Sequence, residues 1–131
     1  LTGIQAHYEA VQMTLATYTD TFTKSGLGMG GWASVALRNE GPFYEVVIAG
    51  EGQTKKALDN AWRALKPTWA VKVDVPSTGL PEKLEGTLSP AKGKVSKAGS
   101  ATAYVCVRGA CQKPTSDPKE FITQMTRGWK H

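Results

Sequence analysis

The feature that most constrains the fold is a short apolar run at residues 44–49, YEVVIA. Only Glu45 interrupts it, a Gly-Pro pair precedes it, and a Gly-Glu-Gly turn follows it. A short, nearly continuous apolar run between turn residues is typical of a β-strand that is covered on both faces. The run therefore predicts the first core strand of a sheet.

A helix and a second strand are predicted after this run. At residues 54–65 the apolar side chains fall on one stripe of a helix, with Thr54 as its expected N-cap and Pro67 at its end. Residues 69–75 alternate apolar and polar side chains, which predicts a strand nearer the edge of the sheet. Strand, helix and strand in this order predict a parallel pair joined by a right-handed crossover.

The rest of the chain predicts a long loop, a third strand and a last helix. Residues 76–100 are rich in proline and glycine and are predicted to be mostly loop, with one helical turn at residues 81–84. Loops of this length are often mobile or functional. A third strand is predicted at residues 101–107. Asp117 followed by Pro118 is a strong start signal for a helix that ends near residue 126.

The predicted fold class is α/β, in two parts. Residues 41–131 form a small domain with a three-stranded, mostly parallel sheet, flanking helices and the long loop at residues 76–100. Residues 1–40 form a helical segment, because apolar residues recur at three- and four-residue steps over residues 5–22 and a second short helix follows at residues 32–39. These helices indicate the end of a preceding helical array. Since the chain begins at Leu1, inside the amphipathic pattern, we expect it to be a piece of a longer protein.

Composition disfavours several classes of function. The 131 residues are 40% hydrophobic, which is enough to build the core of one compact unit. No run approaches the roughly 20 apolar residues of a membrane span, and the start lacks the pattern of a signal peptide. The net charge is +5, but the only local lysine group, at Lys92, Lys94 and Lys97, has no interleaved aromatic residues. We therefore predict no membrane or nucleic-acid partner.

The two cysteines leave three alternatives open. Cys106 and Cys111 are separated by four residues that include a glycine turn, so a tight hairpin could bring them to the distance a disulfide needs. The favoured alternative is two free thiols, with Cys106 packed as a small apolar side chain in a buried strand. The second is a redox or structural disulfide. The third is half of a zinc site, which would need a second chain or the rest of the parent for completion, because the only histidines, His7 and His131, lie near opposite ends of the chain.

Other candidate sites are weaker. The turn that contains Gly50, Gly52, Gln53 and Thr54 lies between a predicted strand and a predicted helix, where backbone N–H groups can hold an anion. The carboxylate of Glu51 argues against phosphate, and a plain turn whose glycines supply unusual backbone angles is favoured.

Two further patterns predict no site. The glycine-rich stretch at residues 26–31 follows a helix, which favours a flexible connection over a nucleotide loop. The chain lacks a nucleophile, histidine and acid set, and its acidic residues are scattered. We therefore predict no catalytic residues, no metal and no cofactor.

Two segments carry a resemblance to a known family. YEVVIAG at residues 44–50 and AYVCVRGACQKPTSDPKEF at residues 103–121 closely resemble the carboxy-terminal region of the DUF255-type thioredoxin-domain-containing proteins. Members of that family have an amino-terminal thioredoxin-like domain and a six-hairpin, glycosidase-like helical barrel. The resemblance covers residues 43–50 and 102–125 well and the helical start only in pattern.

The resemblance carries implications for the helices and the cysteines. It implies that residues 1–40 are the last hairpin of the barrel and that the thioredoxin motif lies upstream, outside this chain. Cys106 and Cys111 are the only matching positions with chemical potential, and their role in the family is open. The four residues between them, VRGA, depart from the polar or aromatic residues more usual there.

Three functions are therefore expected in order. The first is a non-catalytic accessory domain that packs on the parent's barrel, for which the discriminating feature is exposed apolar surface on Met13, Phe22, Leu27 and Trp32. The second is a thiol/disulfide module that uses the two cysteines. The third is a small-ligand or anion site at the turn of residues 50–54. The expected partners are the rest of the parent chain or a second copy through the helical face. A cytoplasmic location is favoured, and the parent is expected to be a redox or carbohydrate-related enzyme.

Overall fold

The computed structural model describes residues 5–25, 30–40, 42–67 and 70–127. The chain divides into a helical unit and an α/β unit, with the boundary between Pro42 and Phe43. The helical unit contains α1 (Gln5–Ser25) and α2 (Gly30–Glu40). The elements of the α/β unit are β1 (Tyr44–Ala49), α3 (Gly52–Leu65), β2 (Ala70–Val75), α4 (Glu82–Glu85), a 3₁₀ turn (Ser89–Ala91), β3 (Thr102–Val107), β4 (Ala110–Cys111) and α5 (Pro118–Thr126). Across the described ranges, no helix combines the length and apolar character that crossing a membrane requires.

The sheet has four strands in the order β2-β1-β3-β4. β1 and β2 are parallel, with Tyr44 opposite Ala70, and α3 is the crossover between them, as the sequence predicted. β3 is antiparallel to β1, with Ala49 opposite Thr102, and β4 is antiparallel to β3. The α/β class with flanking helices is thus confirmed. The expectation of three mostly parallel strands is replaced by a mixed four-stranded sheet.

Two features of the chain explain this difference. A strand parallel to β2 would need a second crossover along the length of the sheet. Here residues 76–100 start at the end of β2, after Val75, and return to the same end of the sheet, where β3 begins opposite Ala49. β3 therefore runs antiparallel to β1. The extra strand forms because Arg108 and Gly109 both adopt positive φ, 50° and 81°, which suits a two-residue hairpin turn.

One face of the sheet is covered by α3 and α5. The side chains that meet there include Leu58 from α3, Phe121 from α5 and Ile48 from β1, all fully buried. Trp62, which the apolar stripe of α3 predicts to be a core residue, packs half-buried against this cluster. We call this cluster the helix-face core.

The other face is covered by residues 76–100. Val47, Val75 and Tyr104 lie on this side of the sheet, and Ala91 from the 3₁₀ turn is buried among them. The hydroxyl of Tyr104 donates a 2.6 Å hydrogen bond to the carbonyl oxygen of Val95. The long segment contains one helical turn, α4, close to where the sequence predicts it. Residues 76–100 therefore act as the second cover of the sheet, and we call this side the loop-face core.

The starts of α3 and α5 differ in how they are capped. Asp117 caps α5 as predicted, because its carboxylate accepts a 2.9 Å hydrogen bond from the amide of Lys119. Thr54, in contrast, is not the cap of α3. The helix begins two residues earlier, after Glu51, which makes no side-chain capping bond. Positive φ at Gly50 (111°) and Gly52 (83°) lets the backbone enter the helix immediately after the strand.

Four charged side chains join α3 to the edge strand β2. Lys55 Nζ lies 2.7 Å from an Asp59 carboxylate oxygen, and Lys72 Nζ lies 2.6 Å from the other oxygen and 2.9 Å from Asp74. Burial alone would raise the pKa of Asp59, but hydrogen bonds from Lys55 and Lys72 outweigh it and hold the pKa below its usual 3.8. The hydrogen bond to Asp59 likewise raises the pKa of Lys55 above 10.5. The network therefore stabilises the folded chain across the neutral range.

We expect Asp59→Asn to lower the free energy of unfolding by about 1 kcal/mol near pH 7, because a partly buried carboxylate loses two charged donors. Since the pKa of Asp59 is lowered on folding, its stabilising effect is present above the unfolded value of 3.8 and is lost as the pH falls through the folded value. The difference between the variant and the parent should shrink below about pH 4. Urea denaturation at several pH values measures it. Glu82→Gln, which removes an exposed carboxylate, is the control, and an equal loss for both would contradict the network's role.

Candidate functional site

The β3–β4 hairpin places the two cysteines directly opposite each other. Cys106 and Cys111 are register partners, and the amide of Gln112 donates a 2.8 Å hydrogen bond to the carbonyl oxygen of Val105. This bonding puts the cysteines at a non-hydrogen-bonded position, where facing Cα atoms approach most closely. Their Cα atoms are 3.9 Å apart and their sulfurs are joined in a disulfide.

The disulfide corrects the favoured prediction of two free thiols. The described part of the chain has no free cysteine. The zinc half-site is also wrong, because both sulfurs are shared in the bond and neither is a thiolate ligand. The physical reason is the two-residue turn, which fixes a register in which Cys106 and Cys111, with four residues between them, face each other. The structure thus selects the disulfide among the three alternatives.

The two sulfurs lie in different surroundings. Cys106 is 2% exposed and belongs to the loop-face core, whereas Cys111 is exposed. Lys94 Nζ lies 3.4 Å from the sulfur of Cys111 and 5.1 Å from the centre of the Tyr104 ring. Glu45 is the register partner of Cys106 on β1. A cation therefore faces the exposed sulfur, and an acidic residue lies opposite the buried one.

Hydrogen bonds to the backbone of residues 95–97 hold the segment that carries Lys94. The next carbonyl, that of Val95, accepts the Tyr104 hydroxyl, and the amide of Ser96 donates a 3.0 Å bond to the carbonyl oxygen of Ser77. The amide of Lys97 donates a 2.9 Å bond to Oγ1 of Thr102, at the start of β3. Lys94 is thus positioned by fixed neighbours on the cover of the sheet.

Sequence reasoning missed the contact between Lys94 and Cys111. It grouped Lys92, Lys94 and Lys97 as one solvated cluster, but the structure separates them. Lys92 Nζ lies 3.7 Å from a Glu85 carboxylate oxygen, whereas Lys94 contacts Cys111, 17 positions later in the sequence. No local pattern signals such a contact, because it depends on how residues 76–100 cross the sheet.

The predicted ligand turn at residues 50–54 has a structural explanation. The amide of Gly50 donates a 3.0 Å bond to the carbonyl oxygen of Val75, and a Cβ at Gly50 would lie 2.9 Å from the Cα of Ala101. Close packing and a φ of 111° therefore both require glycine there. Gly52 and Gln53 are exposed and Thr54 is half-buried. Ligand binding at this turn stays a prediction.

The remaining sequence candidates do not assemble into a site. His7 is exposed on α1. His131 lies outside the described residues, as do residues 26–29 of the glycine-rich stretch, which include Leu27. Within the ranges that the structure describes, no three His, Cys, Asp or Glu side chains gather as a metal site would need.

Comparison with known proteins identifies no relative of this chain. No family model matches the sequence, and neither the curated proteins nor the solved structures include a significant match. The resemblance to the DUF255-type family therefore stays a prediction.

Proposed function

We propose that this chain is a non-catalytic accessory domain of a larger protein, in which α1 and α2 pack against further helices of a helical barrel. The α/β unit folds around its own two cores and supports that barrel. The observation that supports this proposal is the absence of a core from the described part of the helical unit. The resemblance to the DUF255-type family agrees with the proposal, since there the corresponding helices would close such a barrel.

Several large apolar side chains of the helical unit are exposed to solvent. Among the α1 and α2 side chains whose exposure is described, none is buried. Met13 is 71% exposed and Leu37 is 60% exposed. The other exposed large apolar side chains of this unit are Tyr8, Val11, Tyr18 and Val35. Exposed apolar surface of this kind marks a face that another surface covers.

The distribution of these side chains favours helices as the partner. At about 100° per residue, Met13 lies about 140° around α1 from both Tyr8 and Tyr18. Tyr18 faces Trp32 of α2, with ring centroids 5.3 Å apart. Of the four side chains expected to be exposed, Met13 is exposed, Trp32 is half-buried, and Phe22 and Leu27 are not described. A helix with apolar side chains on more than one side fits an array of helices better than a single flat interface.

Hydrogen exchange of the isolated chain tests this proposal. Helices draw most of their stability from tertiary packing, so amides of α1 and α2 should exchange about a hundredfold faster than those of β1 and β3. Met13→Glu with Leu37→Glu should leave the unfolding transition of the α/β unit unchanged. In the longer protein the same helices should be protected, and the double variant should lose that protection. Thr21→Glu, an exposed polar position on α1, is the control.

Two results would contradict the proposal. Strong protection of α1 and α2 in a monomeric chain would mean that the pair is stable without further helices. A dimer by light scattering, with protection that Met13→Glu abolishes, would mean that a second copy covers the face. Each outcome is read from the same exchange and size measurements.

The hairpin supports a second candidate function, a thiol/disulfide module. The supporting observation is the disulfide itself, with one sulfur exposed beside Lys94 and the other buried. Strained or exposed disulfides are the more easily exchanged ones, whereas structural disulfides resist reduction. The test is a count of thiols after incubation of the folded chain in dithiothreitol buffers. A bond that stays intact until the chain unfolds would assign it to structure alone.

A further inference from the structure

We propose that Cys111 is the sulfur that exchanges with a dithiol reductant, that Cys106 is the resolving sulfur, and that Lys94 is a positioning residue for the Cys111 thiolate. This inference deepens the second candidate function and rests on it. The substrate class is a dithiol, either a small molecule or a protein with two neighbouring cysteines.

Access decides which sulfur is attacked. An incoming thiolate must approach one sulfur of the bond along the line of the leaving one, so the attacked sulfur has to be open to solvent. Cys111 is exposed, whereas Cys106 is 2% exposed beneath residues 76–100. The geometry therefore directs attack to Cys111.

The exchange then balances in two steps. A reductant thiolate bonds to the sulfur of Cys111, the Cys106–Cys111 bond breaks, and Cys106 leaves as a thiolate that takes a proton from solvent. The second thiol of the reductant, as thiolate, attacks the reductant sulfur of this mixed disulfide and releases Cys111 as a thiolate. The reductant ends as a disulfide, having given two electrons and two protons to the hairpin once Cys111 is protonated. In the reverse direction Cys106 resolves the mixed disulfide.

Charges around the hairpin favour this division of roles. The ammonium group of Lys94 is 3.4 Å from the sulfur of Cys111, where it stabilises a thiolate. Glu45 is the register partner of Cys106 on β1, so the residue opposite the buried sulfur is acidic, and the cation contact belongs to Cys111. The other charged groups near Cys111 along the chain are Arg108 in the turn and Lys113 after β4.

Lys94 also links the redox state to the cover of the sheet. In the oxidised hairpin its ammonium group faces a neutral sulfur, and after reduction it faces a thiolate. A charge-assisted contact is stronger than a neutral one. Lys94 lies on the segment whose Val95 carbonyl accepts the Tyr104 hydroxyl. Reduction should therefore strengthen the contact between Lys94 and Cys111 and hold this segment more firmly against the sheet.

Alkylation of a single free thiol tests the role of Lys94. In Cys106→Ser, the rate of alkylation of Cys111 by iodoacetamide is followed against pH by mass spectrometry. Its midpoint should lie below the ordinary cysteine value of about 8.5. Adding Lys94→Met should raise that midpoint by about one pH unit and slow alkylation at pH 7 severalfold to about tenfold. Lys92→Met, in the same segment, should leave the profile unchanged.

Wild-type protein supplies a second measurement that needs no cysteine variant. Under limiting dithiothreitol, a trapped mixed disulfide or first alkylation should map to Cys111. Trapping on Cys106, or a midpoint that Lys94→Met leaves unchanged, would overturn the assignment of roles while leaving the redox function standing. A bond that no dithiothreitol concentration reduces in the folded chain would instead remove the redox function itself.

Discussion

Phe121→Ala is expected to lower the free energy of unfolding by about 4 kcal/mol, because it removes a fully buried aromatic ring from the helix-face core and leaves a cavity. Phe121 lies in α5 and belongs to the same cluster as Leu58 of α3 and Val105 of β3. The start of α5 is fixed by the Asp117 cap, so the helix cannot easily close the space that is left. Chemical denaturation followed by tryptophan fluorescence measures the loss.

The neighbouring residue provides the matched control. Ile122 lies on the same helix but is 36% exposed, so Ile122→Ala should lower the free energy of unfolding by less than about 1 kcal/mol. Comparable losses for the two variants would mean that α5 does not present Phe121 to the sheet. A small loss for Phe121→Ala alone would mean that the core collapses around the missing ring.

The parts of the fold that follow from local signals could be predicted from sequence. The continuous apolar run of β1 indicates a covered strand, and β1 does lie between β2 and β3. The parallel β1–β2 pair follows from strand, helix and strand in sequence, and the Asp117-Pro118 pair fixed the start of α5. Each signal lies within one element or in the order of consecutive elements. It can therefore be recognised without knowledge of contacts between distant residues.

Other parts depend on contacts between distant residues and were predicted wrongly or only in part. Residues 76–100 have no helical or strand periodicity, so the positions that face the sheet, such as Leu80, Leu88 and Ala91, form no recognisable pattern. The direction of β3 follows from the path of this segment. The predicted start of α3 was also wrong. The helix begins at Gly52 rather than near Thr54, because positive φ at Gly50 and Gly52 outweighs the capping preference of Thr54.

The candidate site, like the fold, could be predicted from sequence only in part. The sequence identified Cys106 and Cys111 and allowed for a disulfide, but it could not choose among three states. The choice depends on the turn at Arg108 and Gly109, whose two positive φ angles set the register. The contribution of Lys94 could not be predicted, because the lysine and Cys111 are brought together only after the second face of the sheet is covered.

Ala91→Glu is expected to lower the free energy of unfolding by about 3–5 kcal/mol, because it places an unpaired carboxylate in the loop-face core. Ala91 is fully buried at the end of the 3₁₀ turn and packs in the same cluster as Val47 and Val75. Ser89→Glu, on the exposed side of the same turn, should cost less than about 1 kcal/mol. Because residues 76–100 also cover Cys106, Ala91→Glu should speed reduction of the disulfide by dithiothreitol. A variant that is as stable as Ser89→Glu would contradict the role of this segment as the second cover of the sheet. Faster reduction without a loss of stability would mean that the segment protects the disulfide and adds little to the fold.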